Sequence, residues 1–201
     1  MRYIAHRKNT LAELEATPTT YGIEVDIRSF GRELVVHHDP MIDALEFKVW
    51  IKAFNHKTLI LNVKEEGLEE HLIELMQFYD IEDYFFLDQS FPFLLKYSDS
   101  CARRSAIRVS EYESIETALL NRDRASWIWL DCFKNFPISY DEAILLKKFN
   151  YKLCAVSPEL QGREQKIEII DFIQSINKKQ IPLDAVCTKL PSLWEEHFIE
   201  N

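Results

Sequence analysis

The sequence predicts an α/β protein, a single compact (β/α)8 TIM barrel. Three observations lead there. Short apolar runs alternate with longer amphipathic stretches along the whole chain. The runs are rich in β-branched and aromatic residues and nearly continuous in apolarity, as parallel strands buried on both faces are. The strand–helix rhythm repeats about every 25 residues, so that 201 residues hold eight units. A doubly wound open sheet is the alternative with the same rhythm. No internal repeat, low-complexity tract or Pro/Ser-rich linker divides the chain, and residues 1–201 read as one domain.

The strands are expected at Tyr3–His6, Gly22–Arg28, Leu34–His38, Thr58–Lys64, Tyr84–Asp88, Ser105–Val109, Trp127–Cys132, Leu153–Ser157 and Ala185–Thr188. Leu34–His38 is the extra one. It follows Gly22–Arg28 after a short turn at Gly31 and reads as a local excursion or as a barrel strand. Helices are expected at Thr10–Ala16, Leu45–Phe54, Leu68–Phe78, Phe93–Ser98, Ile115–Asn121, Asp141–Phe149 and Glu164–Ile176. The last carries the strongest pattern, Ile167, Ile170, Ile173 and Ile176 with Glu and Lys between them. Glu69, Glu70, Lys178 and Lys179 read as solvated faces.

Composition narrows the function classes. Lys plus Arg is 24 and Asp plus Glu is 33, a net charge of −9, which argues against general binding to nucleic acid or anionic membranes. No run approaches the roughly 18–20 apolar residues of a membrane span. No export signal is visible in Met1-Arg2-Tyr3-Ile4-Ala5-His6, and a cytoplasmic protein is expected. Cys101, Cys132, Cys154 and Cys187 lie 31, 22 and 33 residues apart, without a C-x-x-C pair, and read as buried, reduced thiols. With 4 glycines the chain holds neither a G-x-G-x-x-G fingerprint nor a P-loop. Phosphate, if handled, is handled by side chains, with or without a metal.

Working residues of such barrels sit at the C-terminal ends of the strands. Here nearly every apolar run ends in a group that ionises or coordinates: His6-Arg7, Glu24-x-Asp26, His37-His38-Asp39, Asn62-x-Lys64, Asp88, Arg108, Asp131, Ser157 with Glu159, and Thr188-Lys189. Glu24 and Asp26 lie two apart on a strand and share a face. Burying two adjacent carboxylates is costly unless a cation offsets them. Either a hard divalent ion, Mg²⁺ or Ca²⁺, does so, or the pair bonds to Arg7, Arg28 or Lys64. Asn62 is a neutral metal ligand or an inward hydrogen-bonding residue. His6 and His38 at one barrel mouth would form an acid–base pair. By strand alternation His38 rather than His37 faces inward with Val36 and Leu34. Lys64, Arg108 and Lys189, joined by Arg7, would suit an anionic substrate, or would neutralise the acidic strand ends.

Four motifs in order resemble the glycerophosphodiester phosphodiesterases of the phospholipase C-like superfamily. They are Ile4-Ala5-His6-Arg7, Asn9-Thr10-Leu11, Gly22-Ile23-Glu24-Val25-Asp26-Ile27 and Val35-Val36-His37-His38-Asp39-Pro40. Leu61-Asn62-Val63-Lys64, Phe86-Leu87-Asp88-Gln89-Ser90-Phe91 and Val186-Cys187-Thr188-Lys189-Leu190-Pro191 are weaker echoes. The chain departs from the family at Lys8 (a glycine there), at Asn62 (an acidic metal ligand) and at Lys189 (an aspartate). Glu66 or Asp88 is the candidate for the missing carboxylate. The resemblance implies a (β/α)8 barrel and a metal-dependent phosphoric diester hydrolase acting on a small-molecule phosphodiester. By the same resemblance, Glu24, Asp26 and Asn62 hold the metal, and His6 and His38 are acid and base. Arg7 and Lys64 hold the phosphate, while Arg108, Asp131, Glu159 and Lys189 take the alcohol or sugar end. The alternative is a barrel that binds a phosphorylated sugar or lipid headgroup without cleaving it.

Overall fold

The computed structural model describes residues 1–199. Eight parallel strands alternate with helices, and the fold is of the (β/α)8 barrel class. The residues fall into two compact units, His6–Ser105 in one and Met1–Ala5 with the chain from Ala106 onward in the other. β1 (Arg2–Ala5) opens the chain and belongs to the latter.

In the unit His6–Ser105 the elements run α1 (Leu11–Ala16), β2 (Gly22–Phe30), β3 (Glu33–Val36), α2 (Phe47–Trp50), β4 (Leu59–Val63), α3 (Glu69–Phe78), β5 (Tyr84–Leu87) and α4 (Phe91–Tyr97). β4 pairs in parallel with β2 on one side and β5 on the other. β3 is antiparallel to the second half of β2, from Ile27 opposite Val36 to Phe30 opposite Glu33, so it is the local excursion and not a barrel strand. It ends at Val36, two residues earlier than expected. Strand alternation therefore does not reach His37 and His38, which lie in the bend beyond it. α1 starts cleanly because Thr10 and Glu13 form a reciprocal capping box. Trp50 is fully buried, stacks on Phe47 and donates its indole N–H to the Lys8 carbonyl at 2.9 Å. That bond anchors the segment that follows β1.

In the other unit β6 (Ala106–Val109), α5 (Glu116–Leu120), β7 (Trp127–Leu130), α6 (Tyr140–Lys148), β8 (Lys152–Val156), α7 (Lys166–Lys179), β9 (Ala185–Thr188) and α8 (Pro191–His197) follow. The strands pair in parallel in the order β1-β9-β8-β7-β6. All four cysteines are buried and free, as expected. No helix among the described residues is long and apolar enough to cross a membrane.

Three expectations are corrected. α8 was not foreseen: it is a seven-residue helix opened by Pro191 at its first position, with a pattern too short to register. On α7 the buried residues are Ile169, Phe172, Ile173 and Ile176, while Ile167 is 62% exposed. A repeat of three slips by about 60° per step on a helix of 3.6 residues per turn, so four such positions cannot share a face. Glu69 is not solvated but fully buried at the start of α3. It accepts the Gly67 N–H at 3.1 Å and the Gln89 amide at 3.2 Å, which satisfies the carboxylate without water.

The helix face can be tested directly. Ile173→Ala is expected to lower stability by about 2–5 kcal/mol and Ile167→Ala to change it by less than about 0.5 kcal/mol. Urea unfolding of the two variants side by side reads the difference.

Candidate active site

β2 places Glu24 and Asp26 on one face while Ile23, Val25 and Ile27 pack on the other, all five at most 1% exposed. Two carboxylates this deep demand donors. Glu24 Oε2 accepts the backbone N–H of Arg7 at 2.7 Å and has His6 Nε2 at 3.7 Å. Glu24 Oε1 accepts the Asn62 amide at 2.8 Å. Asp26 Oδ2 accepts Asn9 Nδ2 at 2.9 Å and meets Arg7 Nε at 3.1 Å. Lys64 Nζ stands 3.4 Å from Asp26 Oδ1 and 3.0 Å from Asp88 Oδ2.

The local backbone is bent to make these contacts. Arg7 has φ +50° and Asp88 φ +59°, left-handed conformations that cost an ordinary residue about 1–2 kcal/mol. At Arg7 the return is double, since its N–H serves Glu24 and its guanidinium serves Asp26. Asn9 closes a two-point clasp, its Oδ1 accepting the Asp26 N–H at 3.1 Å while its Nδ2 holds the carboxylate.

Compensation is incomplete. Burial, and then the neighbouring Asp26 charge, push the Glu24 carboxyl up to about 7, against the opposing pull of the Asn62 and Arg7 hydrogen bonds and of Lys64. The expected alternatives for this pair therefore meet in one place. Arg7 and Lys64 do bond to Asp26, whereas Arg28 does not, and the Glu24 carboxyl stays above its ordinary range.

The donor set fits a hard cation. Asp26 Oδ1 and Asn62 Oδ1 are buried oxygens without a hydrogen-bond donor, on residues that face each other in the β2–β4 register. Glu24 bonds to Asn62 directly. Oxygen ligands of this kind suit Mg²⁺ or Ca²⁺. Among the described residues no group of three or more His, Cys, Asp or Glu side chains forms a metal cluster, so such a site would rest on two carboxylates and an amide. Asp88 turns to Lys64, and Glu66 is exposed.

His38 is 44% exposed, with Nδ1 at 2.9 Å from Asp39 Oδ1. That bond to His38 is the main reason the Asp39 carboxyl lies below its usual range. His37 is occupied differently, accepting the Asp39 N–H at Nδ1 at 2.9 Å. His37, His38 and Arg7 line one cleft of about 680 Å³, whose apolar wall includes Leu11, Val36 and Leu45.

The remaining candidates lie in the other unit. Arg108 Nε is 3.6 Å from Asp131 Oδ2, and Asp131 Oδ1 accepts the Gln161 amide. Glu159 is buried, at 3% exposure, and takes the Ser157 hydroxyl, the Thr188 hydroxyl and the Lys189 N–H. Its bonds pin the turn after β9 and tie it, through Ser157, to the Trp194 indole. Lys189 Nζ points to Glu164 at 3.3 Å. Trp194 is thus a core residue. Asn9 is the site residue that sequence reasoning passed over, although the Asn-Thr-Leu motif marked its position.

No protein-family model matches the chain, and no curated protein matches it in sequence. Solved structures do. A protein assigned as a glycerophosphoryl diester phosphodiesterase of Agrobacterium tumefaciens strain C58 aligns at TM-score 0.68 and 12% identity over 98% of this chain and 96% of its own. A glycerophosphodiester phosphodiesterase of the same strain aligns at TM-score 0.67 and 12% identity over 96% and 99%. The fold of this chain is therefore the fold found in glycerophosphodiester phosphodiesterases.

The Glu24 carboxyl provides a pH test. Its folded pKa of about 7 lies above the ordinary 4.5, so the native state keeps a proton that the unfolded chain releases. In chelator, the contribution of this group to stability is expected to be full below about pH 4.5 and lost as pH rises through about 7. Urea midpoints across that window should fall with pH in the wild type and lose this component in Glu24→Gln.

Proposed function

We propose that the protein is a metal-assisted phosphodiesterase that hydrolyses a glycerophosphodiester or a related alcohol or sugar phosphodiester. The observation that carries the reading is the direct contact network of His6, Arg7, Glu24, Asp26, Asn62 and Lys64, six of the positions that the motif resemblance singles out. The shared fold supports it.

In this reading Glu24, Asp26 and Asn62 hold the divalent ion. When bound, it supplies Lewis-acid polarisation of the phosphoryl group and offsets its charge. The chain's own groups do the rest. Arg7 and Lys64 bind the nonbridging phosphate oxygens, each already oriented by Asp26. The Asp39 carboxylate accepts a hydrogen bond from His38 Nδ1–H, which leaves Nε2 to exchange a proton. His6 Nε2 stands 3.7 Å from Glu24 Oε2, beside the same carboxylate pair. The two histidines divide the work: one removes the proton of the attacking hydroxyl or water, the other protonates the departing alkoxide. The attacking oxygen forms a new bond to phosphorus as the P–O bond to the leaving alcohol breaks; one imidazole gains the nucleophile's proton and the other gives its proton to the alkoxide.

A second reading is favoured by Asn62, whose amide bonds to Glu24 where a carboxylate would add charge. It is a barrel that binds a phosphorylated sugar or lipid headgroup without hydrolysis.

Phosphorus NMR of a glycerophosphodiester and sugar phosphodiester panel, with Mg²⁺, Ca²⁺ or Mn²⁺ and with chelator, separates the two. Turnover that chelator abolishes is expected, and His6→Ala or His38→Ala should each lower kcat by about 10²–10⁴-fold with an unchanged circular-dichroism spectrum. If both variants cleave like the wild type, the assignment fails. Phosphate-analogue binding without turnover in every metal would favour the binding barrel.

A further inference from the structure

Arg28 lies two residues beyond Asp26 on β2, on the same face as Glu24 and Asp26, yet it bonds to neither. Its side chain is 16% exposed. Nε donates to the His38 carbonyl at 2.8 Å and Nη1 donates to the Lys64 carbonyl at 3.1 Å. Glu65 Oε2 stands 3.8 Å from Nη1, and Glu65 Oε1 accepts the Ser29 N–H at 2.6 Å.

The position explains the arrangement. β2 extends to Phe30, whereas β4 ends at Val63 and β3 at Val36. At Ile27 all three strands are still paired, with Val36 on one side and Val63 on the other. At that level both neighbours end, parallel β4 passing on from Val63 to Lys64 and antiparallel β3, which pairs with β2 from Phe30 back to Ile27, passing on from Val36 to His38. Their carbonyls lose ladder partners at that point and need donors. A single guanidinium supplies both from its planar fork, which a lysine ammonium cannot reproduce in the same geometry.

We propose that Arg28 is a positioning residue that sets the spacing between the acid–base His38 and the phosphate-binding Lys64. The proposal rests on the catalytic reading given above. Both residues are then fixed at two points. His38 is held at its carbonyl by Arg28 and at its ring by Asp39, and Lys64 at its carbonyl by Arg28 and at its ammonium by Asp26 and Asp88. Arg28 touches no reacting atom. Its effect falls on geometry, and a displacement of about 1 Å between reacting groups costs on the order of 100-fold in rate.

Arg28→Met, Arg28→Lys and Arg28→Ala are compared with the wild type and His6→Ala in the phosphodiester assay. Wild-type turnover that His6→Ala abolishes establishes the catalytic reading independently of Arg28. Given that, each Arg28 variant is expected to lose roughly 10–100-fold in kcat while KM moves by less than about threefold. Added guanidinium should restore part of the loss in Arg28→Ala, and methylammonium should not. A folded Arg28→Met with wild-type kcat overturns the proposal. So does a loss that tracks the folded fraction by thermal melting and does not respond to guanidinium. If the wild type turns nothing over, the catalytic reading fails, and the ring resonances of His38 still decide the positional claim. They should shift in Arg28→Met, and unmoved resonances would overturn it.

Discussion

The structure around the candidate site depends on two carboxylates buried side by side on one strand. Glu24 and Asp26 are essentially without solvent, and their mutual repulsion acts in a poorly screened medium. Each unusual local feature answers to that pair. Arg7 adopts a left-handed backbone so that its N–H reaches one carboxylate and its guanidinium the other. Asn9 gives up both ends of its amide to Asp26. Trp50 commits its only side-chain donor to Lys8, in the segment that carries Arg7 and Asn9. No apolar core requires this arrangement, and an apolar pair at the same positions would pack without it.

The charge balance leads from the fold to the chemistry. Arg7 and Lys64 both bond to Asp26, and Lys64 also to Asp88, while Glu24 is held by the Arg7 N–H and the Asn62 amide. Burial first, and then the Asp26 charge, hold the Glu24 carboxyl up near neutrality. A phosphodiester brings one more negative charge to such a place. Without additional positive charge it would be repelled, or would bind only at the expense of protonating the cluster. A divalent ion at Glu24, Asp26 and Asn62 would reverse that balance, giving Asn62 Oδ1 a partner and Asp26 Oδ1 one beyond the Lys64 ammonium at 3.4 Å. Asn62 makes the requirement milder than a third carboxylate would, because its amide donates to Glu24 and adds no charge of its own.

Much of this was legible in the sequence, and what was not has identifiable causes. The strands stand out because parallel strands buried on both faces must be apolar throughout, which makes Glu24, Asp26, Asn62 and Arg108 conspicuous interruptions. Carboxylates two apart on a strand share a face by geometry alone. Helix faces were harder, since the isoleucines of α7 recur at three and the helix turns at 3.6, which left Ile167 in water. Glu69 was misread because a carboxylate at a helix start looks solvated until the chain brings Gln89 and Gly67 to it. Asn9 and Arg28 escaped as individuals. Their partners are 17 residues away in one case and 10 and 36 in the other, and no local pattern encodes such bonds.

β2 emerges as the spine of the candidate site. On a single face it presents Glu24, Asp26 and Arg28, two negative charges followed by one positive. A simple ion-pair ladder would join them, and the structure does not make one. The carboxylates draw their partners from the β1 exit and from β4, while the guanidinium turns to backbone carbonyls of the chains leaving β3 and β4. This division is what one expects of a strand whose acidic residues are kept available for a ligand. Had Arg28 closed on Asp26, the pair would be neutralised within its own strand. Lys64 and Arg7, each anchored by one end and reaching from a different segment, would then have no reason to converge on it.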